Sequence, residues 1–181
     1  SLILAQKKET PFNTEPRMSF FQEKGAKSEI EVPLRDTNFP TYSSFAKNKL
    51  RLELPVRGKI TKAFGELDKI GLKNKGIKIV TLSGARVFSS FDGKVLYASN
   101  FRNFGPVLII DHGDGFNTLM VGLERIDVNI GQNLLKGELV GVMKKFEPSK
   151  NHTGPALYIE LRRNGKPVNP LAWLSPKRNA T

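Results

Sequence analysis

The sequence predicts an all-β domain, a Gly-rich antiparallel sheet preceded by an extended N-terminal arm, and three observations predict it. From Leu52 onward, short apolar runs of strand length alternate with turn residues, and almost no stretch shows a useful helical period. Gly131, Gly137, Gly141 and Gly154 recur as they do in a sheet that keeps reversing direction. Before residue 49, Pro11, Pro16, Pro33 and Pro40 block any long regular element, because each fixes φ and removes a backbone donor. The chain therefore divides into an arm or linker over 1–48, one domain over 49–176 and a tail over 177–181.

Within the arm, Met18, Phe20 and Phe21 form a short apolar anchor, and Ile30, Val32 and Leu34 alternate as a strand does. The arm reads either as a leader packed on its own domain or as a detachable regulatory element. In the domain, Val87 to Phe91, Asp92-Gly93 and Lys94 to Ala98 read as a hairpin, since Asp-Gly suits the left-handed dihedrals of a tight turn. Pro106 to Asp111 is a Val-Leu-Ile-Ile run expected at the centre of a sheet. It is followed by the turn His-Gly-Asp-Gly and by its partner, Phe116 to Leu123. Asn164-Gly165 signals a second hairpin. Just before it, Ala156 to Arg163 alternates: Leu157, Ile159 and Leu161 point to the core, while Ala156, Tyr158, Glu160 and Arg162 share the outward face. That face is either solvated or one wall of a groove.

Composition bounds the function. With 181 residues and 39% hydrophobic content, the chain can build one core but not two large domains. Its 29 Lys and Arg against 17 Asp and Glu give a formal charge of +12, which draws it to nucleic acid, lipid headgroups or anionic wall polymer without choosing among them. No cysteine is present, so disulfides and thiolate metal sites are excluded. No apolar run approaches the roughly 20 residues of a spanning helix. The start at Ser1 reads as a fragment or a processed product, with the opening Ser-Leu-Ile-Leu-Ala as a signal-sequence stub or an excision boundary.

Four blocks in order carry a resemblance: LPVRGKITKAFGE (54–66), NKGIKIVTLSGARVFSSFDGKVLYA (74–98), NFGPVLIIDHGDGFNTLMVGL (103–123) and GPALYIELRRNGKPVNPLAWL (154–174). Together they resemble the LytM or lysostaphin-type zinc peptidase domain over about two thirds of the chain. In that family zinc is held by a His and an Asp four residues apart and by the second His of a His-x-His strand. Three protein ligands leave a position for an activated water. On the resemblance, Asn74 and Lys78 occupy the first two ligand positions, Ala156 and Tyr158 the His-x-His pair, and Gly122 of Met-Val-Gly-Leu the His of Tyr-x-His-Leu. No metal or other cofactor is therefore expected, nor catalysis. His112 reads as a turn residue, and His152 lacks the partners for a substitute site.

The pattern is more similar still to the degenerate LytM domains of the EnvC-like murein hydrolase activators, on KGI, IIDHGDG and LYIELRRNGKPVNPLAWL. That resemblance implies a catalytically inactive domain that binds and switches on periplasmic N-acetylmuramoyl-L-alanine amidases during daughter-cell separation. It implies a periplasmic location and a link to the division complex through an upstream segment, although residues 1–48 carry no heptads. It further implies a partner groove lined by Lys75, Lys78, Phe104, Met120, Tyr158 and Arg162, Phe104 and Met120 standing where the family more often has tyrosines. The arm cluster Met18 to Phe21, folded onto that groove, would be self-inhibitory. The alternative reading is a non-catalytic peptidoglycan binder working through its charge. A zinc-dependent murein endopeptidase ranks third, and nucleic-acid binding, resting on charge alone, last.

Overall fold

Alternating runs become strands here because one face of each must be buried against a second layer. In the computed structural model, which describes residues 44–146 and 154–175, the strands are β1 (Gly58–Lys62), β2 (Ile77–Thr81), β3 (Arg86–Phe88), β4 (Gly93–Asn100), β5 (Pro106–Gly113) and β6 (Phe116–Val121). They continue as β7 (Leu123–Ile126), β8 (Asn133–Leu134), β9 (Leu139–Met143), β10 (Ala156–Arg163) and β11 (Lys166–Val168). Three short 3₁₀ turns, Phe45–Asn48, Arg102–Phe104 and Pro170–Ala172, are the helical elements among the described residues. None is long and apolar enough to cross a membrane. The all-β expectation holds. The Met18 to Phe21 anchor, the 30–34 alternation and His152 lie outside the described residues.

Eight strands form one antiparallel sheet in the order β1-β2-β10-β6-β5-β4-β8, with β11 also paired to β10. A smaller sheet runs β3-β9-β7. The central position of β5 and its pairing with β6 agree with the sequence, as does the β10–β11 hairpin, where Arg163 faces Lys166 across Asn164 (φ 49°) and Gly165 (φ 76°). Both central dihedrals are positive, as a two-residue turn of this hand requires.

The Asp92-Gly93 hairpin is not formed. β3 pairs with β9 in the small sheet, while β4 pairs with β5 and β8 in the large one. The Asp92 side chain accepts from the Lys136 amide, and its carbonyl faces His112, so the dipeptide is a crossing between sheets rather than a turn. Gly93 is needed for closeness: a Cβ there would lie 2.6 Å from the Asp111 carbonyl oxygen.

The expected strand Phe116 to Leu123 is also split. β6 stops at Val121, Gly122 takes φ 109°, and Leu123 begins β7 in the second sheet. A Cβ at 122 would sit 2.3 Å from the Ala156 carbonyl oxygen, so the change of sheet depends on a residue without one.

The main core lies between the sheets. Ile77, Ile79, Leu108, Ile110, Met120, Leu157 and Ile159 come from the large sheet and meet Val87, Leu123, Val140 and Met143 from the small one. A second cluster joins Phe45, Leu52, Phe91, Phe116 and Leu161. Phe45 corrects the arm boundary at 48: it is fully buried, stacked on His112 at 5.1 Å and tilted against Phe116 and Trp173 at 4.5 and 5.2 Å. Asp114, in the His-Gly-Asp-Gly turn, holds this segment by accepting from Ser44 Oγ at 2.6 Å and from the Ala46 amide at 3.3 Å. These bonds keep the Asp114 carboxyl below the usual carboxylate range.

His112 is a structural residue of that turn. Its Nδ1 donates to the Asp92 carbonyl at 2.7 Å, which leaves Nε2 to accept from Thr118 Oγ1 at 2.8 Å. Burial lowers its pKa to about 4, so the ring is neutral at neutral pH.

Candidate functional site

Register decides what can meet on the face of the large sheet away from the core. Tyr158 lies opposite Lys78 on one side and Val121 on the other; Val121 faces Val107, and Val107 faces Ser99. One row along, Glu160 faces Leu119, Leu119 faces Ile109, and Ile109 faces Tyr97. Val107, Leu119 and Val121 are buried yet belong to neither core cluster, so they form a separate apolar floor. Lys78 and Tyr158 bound this floor on the β2–β10 side. Tyr97, Phe101 and Phe104 bound it on the other, with ring centroids 6.3 Å apart at each step.

The turn carrying Phe104 closes at Phe101 and Gly105, at the same end of the sheet as Gly122 and Ala156. Phe104 and Lys75 are half-buried, as are Lys78, Ala156, Tyr158 and Arg162. Met120 is different. It pairs with Ile159 rather than with Tyr158, is completely buried in the main core, and cannot line this face. The inward-outward alternation of β6 assigns Leu119 and Val121 here instead, a parity readable from the pairing of β6 with β10.

The outward face of β10 is not solvated along its length. Glu160 is fully buried and accepts two hydrogen bonds, from Arg162 Nε at 2.5 Å and from Tyr158 Oη at 3.0 Å. Burial and the Glu160 charge push the Tyr158 hydroxyl well above the usual phenol range, so it stays a neutral donor. Its ring lies against Gly76, where an added Cβ would be 2.8 Å from Tyr158 Cζ. Tyr158 and Arg162 are thus braced on a shared carboxylate, which alternation alone did not reveal.

A zinc ion fits poorly with the groups that the resemblance sets at ligand positions. Asn74 spends its side-chain amide on the carbonyls of Ala63 and Gly76 at 3.0 and 2.8 Å, pinning the chain ahead of β2. Lys78 brings an ammonium, and Tyr158 a phenol that donates to Glu160. Gly122 and Ala156 offer no donor side chain. What the arrangement offers is an apolar floor between a basic, phenolic edge and an aromatic one, a surface chemistry suited to a polypeptide partner.

The sequence pattern of the family described as Peptidase family M23 matches residues 72–170, more than half of the chain and every position of this face. The chain belongs to peptidase family M23. Among relatives of this M23 domain, the murein hydrolase activators EnvC and NlpD of Escherichia coli (strain K12) are each 32% identical to it, over 120 and 125 residues. The matches cover 66% and 68% of this chain but 28% and 31% of those proteins, so the chain spans less than a third of the activators' length. The solution structure of lysostaphin shares the fold, with a TM-score of 0.56 at 15% identity over 68% of this chain and 57% of lysostaphin.

Proposed function

We propose that this M23 domain is a catalytically inactive regulatory domain that binds and activates periplasmic N-acetylmuramoyl-L-alanine amidases, promoting septal peptidoglycan cleavage in cell separation. The observation that carries the reading is that, of the three groups the resemblance sets at the zinc positions, the Asn74 amide and the Tyr158 phenol are engaged with the protein itself, while the third, Lys78, is a cation. The similarity to EnvC and NlpD, both murein hydrolase activators, supports the same assignment. The partner's docking segment lies on the floor of Val107, Leu119 and Val121, with Lys78 and Tyr158 at one edge and Phe104 at the other. Lys75 and Arg162 extend the basic edge.

The test is a purified amidase assayed on murein sacculi with and without the full chain. Stimulation is expected, and Lys78→Glu should weaken it about tenfold or more by reversing the charge of the basic edge, with no loss of fold. No stimulation together with no binding would sink the reading.

The formal charge of +12 favours one second reading, direct adhesion to anionic peptidoglycan. Sedimentation with sacculi in rising salt separates the two, since purely electrostatic adhesion fades as the Debye length shortens.

A further inference from the structure

Between β1 and β2 the chain leaves the sheet as a finger over residues 63–76. Its backbone is tightly built. The Gly65 amide donates to the Asn74 carbonyl at 2.7 Å, the Asn74 amide donates to the Glu66 carbonyl at 2.8 Å, and Leu67 bridges Lys73. At the tip, Asp68 Oδ1 accepts from the amides of Ile70 and Leu72 at 2.9 and 2.8 Å, and the Asp68 amide donates to the Leu72 carbonyl. A loop this well bonded holds its backbone in place, and with it the positions from which its side chains project.

Those side chains are of an unusual kind for an exposed tip. Leu67, Ile70 and Leu72 are 61, 67 and 47% exposed. Lys69 and Lys73, also exposed, stand between and beside them. From residue 59 to 78 there are six lysines and two acidic residues. Both acids are tied to the finger's own backbone: Glu66, itself exposed, accepts at Oε2 from the Ala63 amide, and Asp68 caps the tip. With six lysines against these two acids, the net charge of the finger is positive, around an aliphatic point.

We infer that this finger is a lipid-binding element that enters an anionic bilayer surface, with Leu67, Ile70 and Leu72 at the acyl boundary and Lys69 and Lys73 against headgroup phosphates. Charge complementarity names the sign of the surface. Shape and composition name its kind. A convex tip needs a matching cleft in a protein but not in a fluid surface, and its anchors are aliphatic rather than the Trp, Tyr and Arg that dominate protein hot spots. The finger is distinct from the floor of Val107, Leu119 and Val121, so this inference stands or falls separately from the proposed partner site.

The test uses the full chain and vesicles of phosphatidylethanolamine with a quarter phosphatidylglycerol, against phosphatidylcholine vesicles. The chain contains no cysteine, so Ile70→Cys carries a single environment-sensitive dye. A blue shift with the anionic vesicles only is expected. In co-sedimentation, the double variant Ile70→Ser with Leu72→Ser should lower partition about tenfold or more. Each of Lys69→Gln and Lys73→Gln should lower it about fivefold. Thermal unfolding matching the parent confirms that the variants are folded.

Two outcomes overturn the inference. One is binding that salt removes completely and that the serine variant leaves unchanged, which is adhesion by net charge alone. The other is a dye shift on adding an amidase but none on adding vesicles, which makes the finger a protein contact.

Discussion

Arg162→Ala is predicted to destabilise the domain far more than the loss of a surface arginine should. Glu160 is fully buried on the face away from both core clusters, and its carboxylate is balanced by Arg162, whose own side chain is only 16% exposed. Truncating the arginine leaves that carboxylate with the neutral Tyr158 Oη donor in place of a cation. Breaking a buried pair by removing one member costs about 3–5 kcal/mol, because the remaining charge is stranded. Against a typical domain stability of roughly 5–15 kcal/mol, that is a large fraction. It corresponds to a fall of about 10 °C in Tm for a chain of this size.

The assay is guanidinium unfolding followed through Trp173, the sole tryptophan, which packs against Phe45 and Phe116. Adding Glu160→Gln to Arg162→Ala should recover most of the loss, since the stranded charge is then gone. Arg162→Ala unfolding within about 1 kcal/mol of the parent would refute the reasoning, that being the scale of an exposed ion pair. A loss of amidase stimulation in Arg162→Glu therefore mixes folding with binding, and Lys78→Glu is the cleaner probe.

The remaining predictions concern the His-Gly-Asp-Gly turn. His112 has a folded pKa of about 4 against 6.5 unfolded, so the unfolded chain binds the extra proton first as pH falls. Stability should decline from about pH 6.5 to pH 4 by about 3 kcal/mol, and Asp114, also depressed, adds loss in the same direction at lower pH. Urea titrations at several pH values check this, and His112→Gln should flatten the slope above pH 4. Phe45→Ala empties the centre of an aromatic cluster and should cost about 3–5 kcal/mol by the same unfolding assay. Asp114→Ala should release the 44–48 segment, read as a gain in amide hydrogen exchange at Ala46.

What was legible in the sequence was local. The β5–β6 pair and the β10–β11 hairpin carry their own turn chemistry within a few residues of their strands, so alternation and Asn-Gly were sufficient. Asp92-Gly93 carried an equally good local signal, and it failed because β3 finds its partner in β9, some fifty residues on. Long-range pairing of this kind leaves no mark in a short window. Met120 was misplaced for a related reason: its motif position suggested a wall residue, while the parity of β6 against β10 turns it to the core. Alternation puts Tyr158, Glu160 and Arg162 on one face and leaves it either solvated or a groove wall; the burial of Glu160 and its bonds to both neighbours come only with the folded sheet. Phe45 was assigned to the arm because the aromatic partners that claim it lie between 46 and 128 residues away. Asn74, Lys78 and Tyr158 are grouped by the resemblance alone, and the structure adds the bonds that engage Asn74 and Tyr158.

Gly122 sets a limit on any redesign of this face. With φ at 109° and the Ala156 carbonyl 2.3 Å from any added Cβ, no single substitution at this position is neutral. A larger residue there requires the backbone of β10 to retreat at the same time. Rebuilding a histidine at 122 is therefore a two-element problem, whereas Lys78, Tyr158 and the aromatic edge can be exchanged one side chain at a time.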